Sequence, residues 1–121
     1  VFFPKATFVD SIHFCSNPHE ALVGECLLLG TSGQNIDNLD QYTNQFKATN
    51  GSESTKSWRL CLMEKMLGWR HLAPTAPDSL SCYPFMEDDP FVIENCPNVF
   101  FAGNQPKFET SVVCGANEQK V

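Results

Sequence analysis

Apolar and polar positions along this 121-residue chain change period several times, and each change marks an element. Val1 to Thr7 is an apolar entry around Pro4. From Ser11 to Cys15 the residues alternate, with Ile12 and Phe14 on one side, which predicts a half-buried strand. Asn17-Pro18 then marks a turn. Cys26-Leu27-Leu28-Leu29 is a short continuous apolar run between Gly24 and Gly30, the pattern of a strand buried on both faces. Gly30 to Gly33 reads as the loop at its C-terminal end.

Helical periodicity follows. Ile36, Leu39, Tyr42 or Thr43, and Phe46 share one face of a helix that Asn35 or Asp37 can cap. Lys47 to Thr55, polar around Asn50-Gly51-Ser52, reads as a surface loop. A second helix is predicted from about Lys56 to Leu67. Trp58, Cys61, Leu62 and Met66 form its apolar face, Arg59, Glu64 and Lys65 turn to water, and Gly68 stands near its end. Further on, Phe91-Val92-Ile93 predicts a short strand, and Val99 to Ala102 a central strand that ends in the Gly103 loop. Phe108 to Cys114 is another candidate strand before a turn at Gly115. Strand, helix, helix and further strands imply an α/β architecture with room for one core.

Periodicity breaks in Trp69-Arg70-His71-Leu72-Ala73-Pro74-Thr75-Ala76-Pro77-Asp78, followed by Cys82-Tyr83-Pro84-Phe85. Each proline fixes φ and biases the residue before it away from helix. An ordered, extended segment is expected over 72–85, packed on the sheet through Leu72, Leu80, Tyr83 and Phe85. Arg70 and His71 are expected to hydrogen-bond backbone carbonyls of 72–78, where prolines cannot donate. Trp69, Tyr83, Phe85, Phe100 and Phe101 lack the interleaved Arg or Lys of a base-stacking surface and read as core.

Charge and cysteine content narrow the function. Fourteen acidic residues against eight basic give a net charge of −6, which disfavours direct gripping of a phosphate backbone and suits a protein partner. The six cysteines include no Cys-x-x-Cys pair, and Cys26 and Cys61 sit in apolar runs, so buried reduced thiols are expected over a secreted, disulfide-linked domain. No run approaches the ~18 consecutive apolar residues of a membrane span. Gly30-Thr31-Ser32-Gly33 lacks the Gly-Lys-Ser/Thr ending of a phosphate-binding loop and reads as a strand-to-helix turn. Glu87-Asp88-Asp89 reads as a solvated acidic turn rather than a cation site.

Three strings in one order carry a resemblance: Leu29 to Asn35, the proline-rich Trp69–Asp78 stretch with Cys82–Phe85, and Cys96-Pro97-Asn98-Val99-Phe100-Phe101-Ala102-Gly103-Asn104-Gln105. The chain resembles the small (B) subunits of eukaryotic DNA polymerase delta over most of its length. That family is similar in turn to calcineurin-like metallophosphoesterases. The resemblance implies that residues 1–121 are part of a calcineurin-like phosphoesterase domain, with layered sheets flanked by helices. It also implies a preceding oligonucleotide-binding-type barrel and further strands beyond this piece.

Active archaeal relatives carry Gly-His-x-His where this chain has Gly103-Asn104-Gln105-Pro106, and a His-Gly pair where it has Ser32-Gly33. The resemblance thus places Ser32, Asn104 and Pro106 at three histidine-ligand positions. A serine hydroxyl is a poor replacement for imidazole, and a proline side chain has no donor atom. The expectation is no metal, no cofactor and no catalytic residue. Arg70, His71, Pro74, Pro77 and Asp78 carry the remaining family motif and read as structural. The implied function is a non-catalytic accessory subunit in nuclear DNA replication. It would link the cysteine-rich C-terminal domain of the catalytic subunit to a further accessory subunit, meeting DNA only indirectly and no membrane. The small subunit of another replicative polymerase is the nearest alternative, and an active metal-dependent phosphoesterase or exonuclease a more distant one.

Overall fold

The computed structural model describes residues 10–43, 57–114 and 121. Its elements run β1 (His19–Val23), β2 (Cys26–Thr31), α1 (Gln34–Tyr42), α2 (Trp58–Trp69) and β3 (Val99–Ala102). β1 and β2 form an antiparallel hairpin in which His19 faces Gly30 and Val23 faces Cys26. Gly24 turns the chain between them at φ +63°, a conformation that glycine adopts without steric cost. β2 pairs with β3 in parallel, from Leu28 opposite Val99 to Thr31 opposite Ala102. Parallel neighbours need a crossover, and α1 and α2 lie in it. The result is a small α/β unit with a mixed sheet in the order β1-β2-β3.

The core lies between the sheet and the two helices. One cluster joins Ile36 and Leu39 of α1 to Leu62 and Met66 of α2, with Trp58, Met63, Phe100 and Ala102 packed on it. A second joins Leu29, Leu72 and Ile93, with Leu67, Phe91 and Phe100 around them. Phe100 touches both, so β3 locks the helix pair to the segment that follows α2. Strand alternation sends Leu28, Gly30, Val99 and Phe101 to the opposite face. There the Phe101 ring lies over Gly30, and a Cβ on residue 30 would come within 2.4 Å of it.

Several expectations need correction. Residues 11–15 form no strand, and Ile12 and Phe14 are exposed, because no described strand pairs with them. β1 has no clear signal in the sequence. Its sequence His-Glu-Ala-Leu-Val has only a weak alternation, and Gly24-Glu25 ahead of the Cys26 run was the usable signal. β2 reaches through Gly30 to Thr31, and its first three residues are only half-buried. Among the described residues β3 is an edge strand, not a central one, since β2 occupies the middle. Phe91–Ile93 is reduced to one antiparallel bridge between His71 and Val92. No strand spans 108–114, although Val113 and Val121 exchange backbone hydrogen bonds of 2.9 and 3.0 Å. Tyr42 is exposed. The expectations for Val1–Thr7, Phe46, Lys47–Thr55 and Gly115 fall outside the described residues.

The helix ends differ too. α1 starts at Gly33, whose carbonyl accepts the Ile36 and Asp37 amides at 3.1 Å, while Asn35 and Asp37 lie inside the helix. α2 runs two residues past Leu67 and closes with paired backbone bonds, Arg70 N to Leu67 O and His71 N to Met66 O, both 3.1 Å. This is a Schellman end with Arg70 at φ +56° in the position that glycine usually takes. Gly68 is thus helical rather than capping.

Two substitutions test this account. A Cβ on Gly68 meets nothing within 4 Å, so Gly68→Ala is expected to stabilise by about 0.5–1 kcal/mol. Phe100→Ala, which cuts both clusters, is expected to destabilise by about 3 kcal/mol. Urea titration of the intact protein measures both.

Candidate functional site

In open α/β sheets the ends of parallel strands gather functional groups, so the loops after β2 and β3 are the first place to look. These loops pack directly on each other. The Gly103 amide extends the parallel ladder by donating to Thr31 O at 2.9 Å. Asn104, at φ +54°, donates from Nδ2 to Ser32 O at 3.0 Å. Asn17 clamps Ser32 from the other side: its Oδ1 accepts the Ser32 amide at 2.9 Å, and its Nδ2 donates to Ser32 Oγ at 2.8 Å. Gly33 sits at φ +90°, where a Cβ would stand 2.1 Å from the Gly103 carbonyl oxygen. Only glycine fits there.

Gln105 ties this junction to the helices. Its Nε2 donates to Gly103 O at 3.1 Å and its Oε1 accepts from Arg59 Nη1 at 2.7 Å. The Arg59 guanidinium also donates to the Asp37 carboxylate and lies 3.4 Å from Asp40 Oδ2. Arg59 therefore does not turn to water. It is half-buried and joins α2, α1 and the β3 loop.

Of the three positions singled out in the sequence, the structure brings Ser32 and Asn104 together. Pro106 stands apart, exposed on the rim of a groove between α2 and residues 98–113. Among the described residues no three His, Cys, Asp or Glu side chains gather as a metal-holding group.

The proline-rich motif is held by buried amides of α1. Asn35 Nδ2 donates to Leu72 O at 2.8 Å, and Asn35 Oδ1 accepts from Thr31 Oγ1 at 3.2 Å. Asn38 Nδ2 donates to Ser79 O at 3.1 Å, while its Oδ1 accepts from Thr75 Oγ1 at 2.6 Å and Ser79 Oγ at 3.1 Å. Residues 74–79 are not extended. They fold as successive turns closed by Ala76 N to Ala73 O and Ser79 N to Thr75 O. Pro74, Pro77 and Asp78 are exposed on these turns. Leu72 is buried as expected, but Tyr83 and Phe85 face outward, as do Trp69 and Phe101. Of the five aromatics assigned to the core, only Phe100 packs on it.

Arg70 and His71 bond elsewhere than anticipated. Arg70 Nε donates to Ile93 O at 3.0 Å and its Nη2 to Glu94 O. His71 Nδ1 accepts the Ala73 amide at 3.1 Å, which leaves Nε2 to carry the hydrogen toward Asp89 Oδ2 at 2.9 Å. Asp89 also accepts the Phe91 amide at 2.9 Å. The His71 bond, then the Phe91 amide, hold the Asp89 carboxyl below its ordinary value of 3.8. The Glu87–Asp89 turn is thus solvated at its tip and anchored at its end. Both residues act on 89–94, which lies beside 70–72 through bonds from Leu72 N to Phe91 O and Ile93 N to Arg70 O.

The six cysteines are free thiols. Cys15, Cys96 and Cys114 are exposed and the other three half-buried, so none is buried as expected. Among the described residues no helix is long and apolar enough to cross a membrane. Asn17, Asn35, Asn38, Arg59 and Gln105 all escaped the sequence reading as structural linkers. Asn-Pro signalled a turn but not its clamp, and a helical asparagine gives no sign of what it will meet.

Two tests follow from these contacts. Asn38→Ala removes three hydrogen bonds to Thr75 and Ser79 and should cost about 1–3 kcal/mol, with faster amide hydrogen exchange over 74–79. Asp89 has a depressed folded pKa, so the unfolded chain binds more protons near pH 4. The stability that Asp89 supplies is present above pH 3.8 and lost as pH falls through its lower folded value. Asp89→Asn should flatten that part of the acid limb in a pH series of urea midpoints.

The family of DNA polymerase alpha/epsilon B subunits matches residues 1–110. The DNA polymerase delta small subunits of Oryza sativa subsp. japonica and Arabidopsis thaliana are each 44% identical over 119 residues. Those alignments take in 98% of this chain and 25% and 24% of the respective relatives. DNA polymerase delta subunit 2 of Drosophila melanogaster is 36% identical over 118 residues, again 98% of this chain and 25% of the relative. The chain spans about a quarter of the length of these curated relatives. It belongs to the family of DNA polymerase alpha/epsilon B subunits.

Proposed function

We propose that this member of the polymerase B-subunit family serves as a non-catalytic accessory subunit of a replicative DNA polymerase, of the delta type, acting in the nucleus. The observation that carries the reading is the identity of 44% to two plant delta small subunits across nearly the whole chain. That likeness favours delta over the alpha and epsilon assemblies that the family description names. In this reading the protein bridges the cysteine-rich C-terminal domain of the catalytic subunit and a further accessory subunit.

The absence of catalysis is part of the proposal. A two-metal phosphoesterase centre needs anionic and imidazole ligands converging where the strands end. Asn104 Nδ2 donates to the Ser32 carbonyl, and the Ser32 hydroxyl and amide are taken up by Asn17. These neutral groups satisfy one another and supply no strong ligand. The net charge of −6 adds a second argument, because a surface that grips DNA neutralises phosphates with Lys and Arg.

The test uses the full-length protein. It is expected to co-purify with the polymerase catalytic subunit, to contain less than one equivalent of Mn, Zn or Fe when purified alone, and to cleave no phosphodiester. Two retained metals per chain, together with nuclease activity lost on changing Asn104 or Ser32, would overturn the proposal.

A further inference from the structure

From Arg70 to Lys107 the chain contains no lysine or arginine between those two residues, while Asp78, Glu87, Asp88, Asp89 and Glu94 all fall within the interval. This interval also carries the most exposed apolar side chains of the proline-rich region. Met86 is 98% exposed and Tyr83 75%. The Tyr83 and Phe85 rings meet edge to face with centroids 5.6 Å apart, and both side chains are exposed. Between these rings and the Ala76-Pro77 turn runs a groove of about 520 Å³, with Glu87, Asp88 and Asp89 on its wall.

The groove is held in shape before anything binds. Asn38 fixes the 75–79 side through Thr75 and Ser79. The His71–Asp89 bond and the Phe91 amide fix the 89–91 side. Pro77 and Pro90 stiffen the two anchored sides and Pro84 restricts the chain between them. A preorganised groove loses little entropy on binding. Exposed aromatics and a fully exposed methionine cost solvation unless a partner covers them, and such residues are enriched in interface cores.

We infer that this groove is a docking site for a basic peptide segment of a partner protein, with an arginine stacked on Tyr83 and an apolar side chain set against Phe85 and Met86. Charge selects the occupant. An acidic or neutral segment would leave the carboxylates of Glu87 and Asp88 facing unrelieved like charge or none, whereas a guanidinium over the Tyr83 ring meets both the ring face and these carboxylates. Nucleic acid is disfavoured by the same carboxylates. The inference rests on the accessory-subunit reading only for the source of the segment, another subunit of the polymerase complex.

Photo-crosslinking within the reconstituted full-length complex tests it. With p-benzoylphenylalanine at position 86, the captured peptide, sequenced by mass spectrometry, is expected to come from another subunit and to hold at least two Arg or Lys residues near the crosslink. Glu87→Lys with Asp88→Lys is expected to weaken association with that subunit about tenfold at 0.1 M salt and to flatten its salt dependence, with thermal melting unchanged. Tyr83→Ala should weaken it without altering the salt dependence. Capture of the protein's own chain, of a segment without basic residues, or of nothing would overturn the inference, as would full affinity in the charge-reversed variant. The proposed function fails by a different result: wild-type protein that does not assemble with the polymerase at all.

Discussion

The Gly103 carbonyl occupies the space that a side chain on residue 33 would need, and the architecture depends on that contact. Parallel pairing of β2 and β3 brings the two strand-end loops to the same level. With Gly33 at φ +90° they can close on each other, and the same residue then becomes the N-cap of α1. Its carbonyl accepts two amides and sets the phase of the helix. That phase turns Ile36 and Leu39 toward α2 and Asn35 and Asn38 toward the segment after α2. A Cβ at this position would force the loops apart and rotate the helix that both the core and the polar anchors require. The cost would exceed the usual loss for an alanine at positive φ, because the obstructing atom belongs to backbone and cannot move alone.

Prolines and asparagines divide the work in the segment that follows α2. A proline at a compatible position contributes about 0.4–1 kcal/mol by restricting the unfolded chain, and it does not say where the segment lies. Asn35 and Asn38 decide that. Their amide groups are buried, and each meets backbone or hydroxyl partners on residues 72–79. Orphaning one buried partner costs about 1–3 kcal/mol, as much as two or three prolines supply. Among the described residues no buried side-chain nitrogen or oxygen lacks a partner, so the network is complete. Order in this irregular stretch thus comes from the helix it crosses as much as from its own composition.

What the sequence made legible is what periodicity encodes. The Cys26 run, the Ile36 and Leu39 face, the Leu62 and Met66 face and Val99–Ala102 fall where the elements lie, because burial against a partner layer imposes those periods. Ends and neighbours were harder. The cap at Gly33 leaves no local signal, since the requirement there is a close approach from residue 103, far away in sequence. Arg59 looked like a solvent-facing residue, yet two carboxylates on α1 and Gln105 draw it inward. The alternation at 11–15 specified a strand without specifying a partner. The aromatics failed for a related reason. A run of Tyr, Pro and Phe without basic residues fits a core or an interface equally well, and only the fold distinguishes them. Here Tyr83, Phe85 and Phe101 face outward. The loops at Ser32 and Asn104 follow the two strands that periodicity marks, whereas their joint clamp with Asn17 depends on a hairpin that the sequence barely signals.

Neutral amides have a physical advantage over ionisable ligands at such a junction. A cluster of histidines and carboxylates at strand ends repels itself or shifts its pKa values unless a cation is present to neutralise it. Asn17, Asn104 and Gln105 carry donor and acceptor on one side chain, so each can bridge backbone groups without a counter-ion. The bonds among Asn17, Ser32, Gly103, Asn104 and Gln105 are therefore closed between neutral groups. Such a strand end closes its two loops on each other through side chains that need no proton or counter-ion. Most of the net negative charge falls instead in the interval between Arg70 and Lys107, which holds five acidic residues and no Lys or Arg.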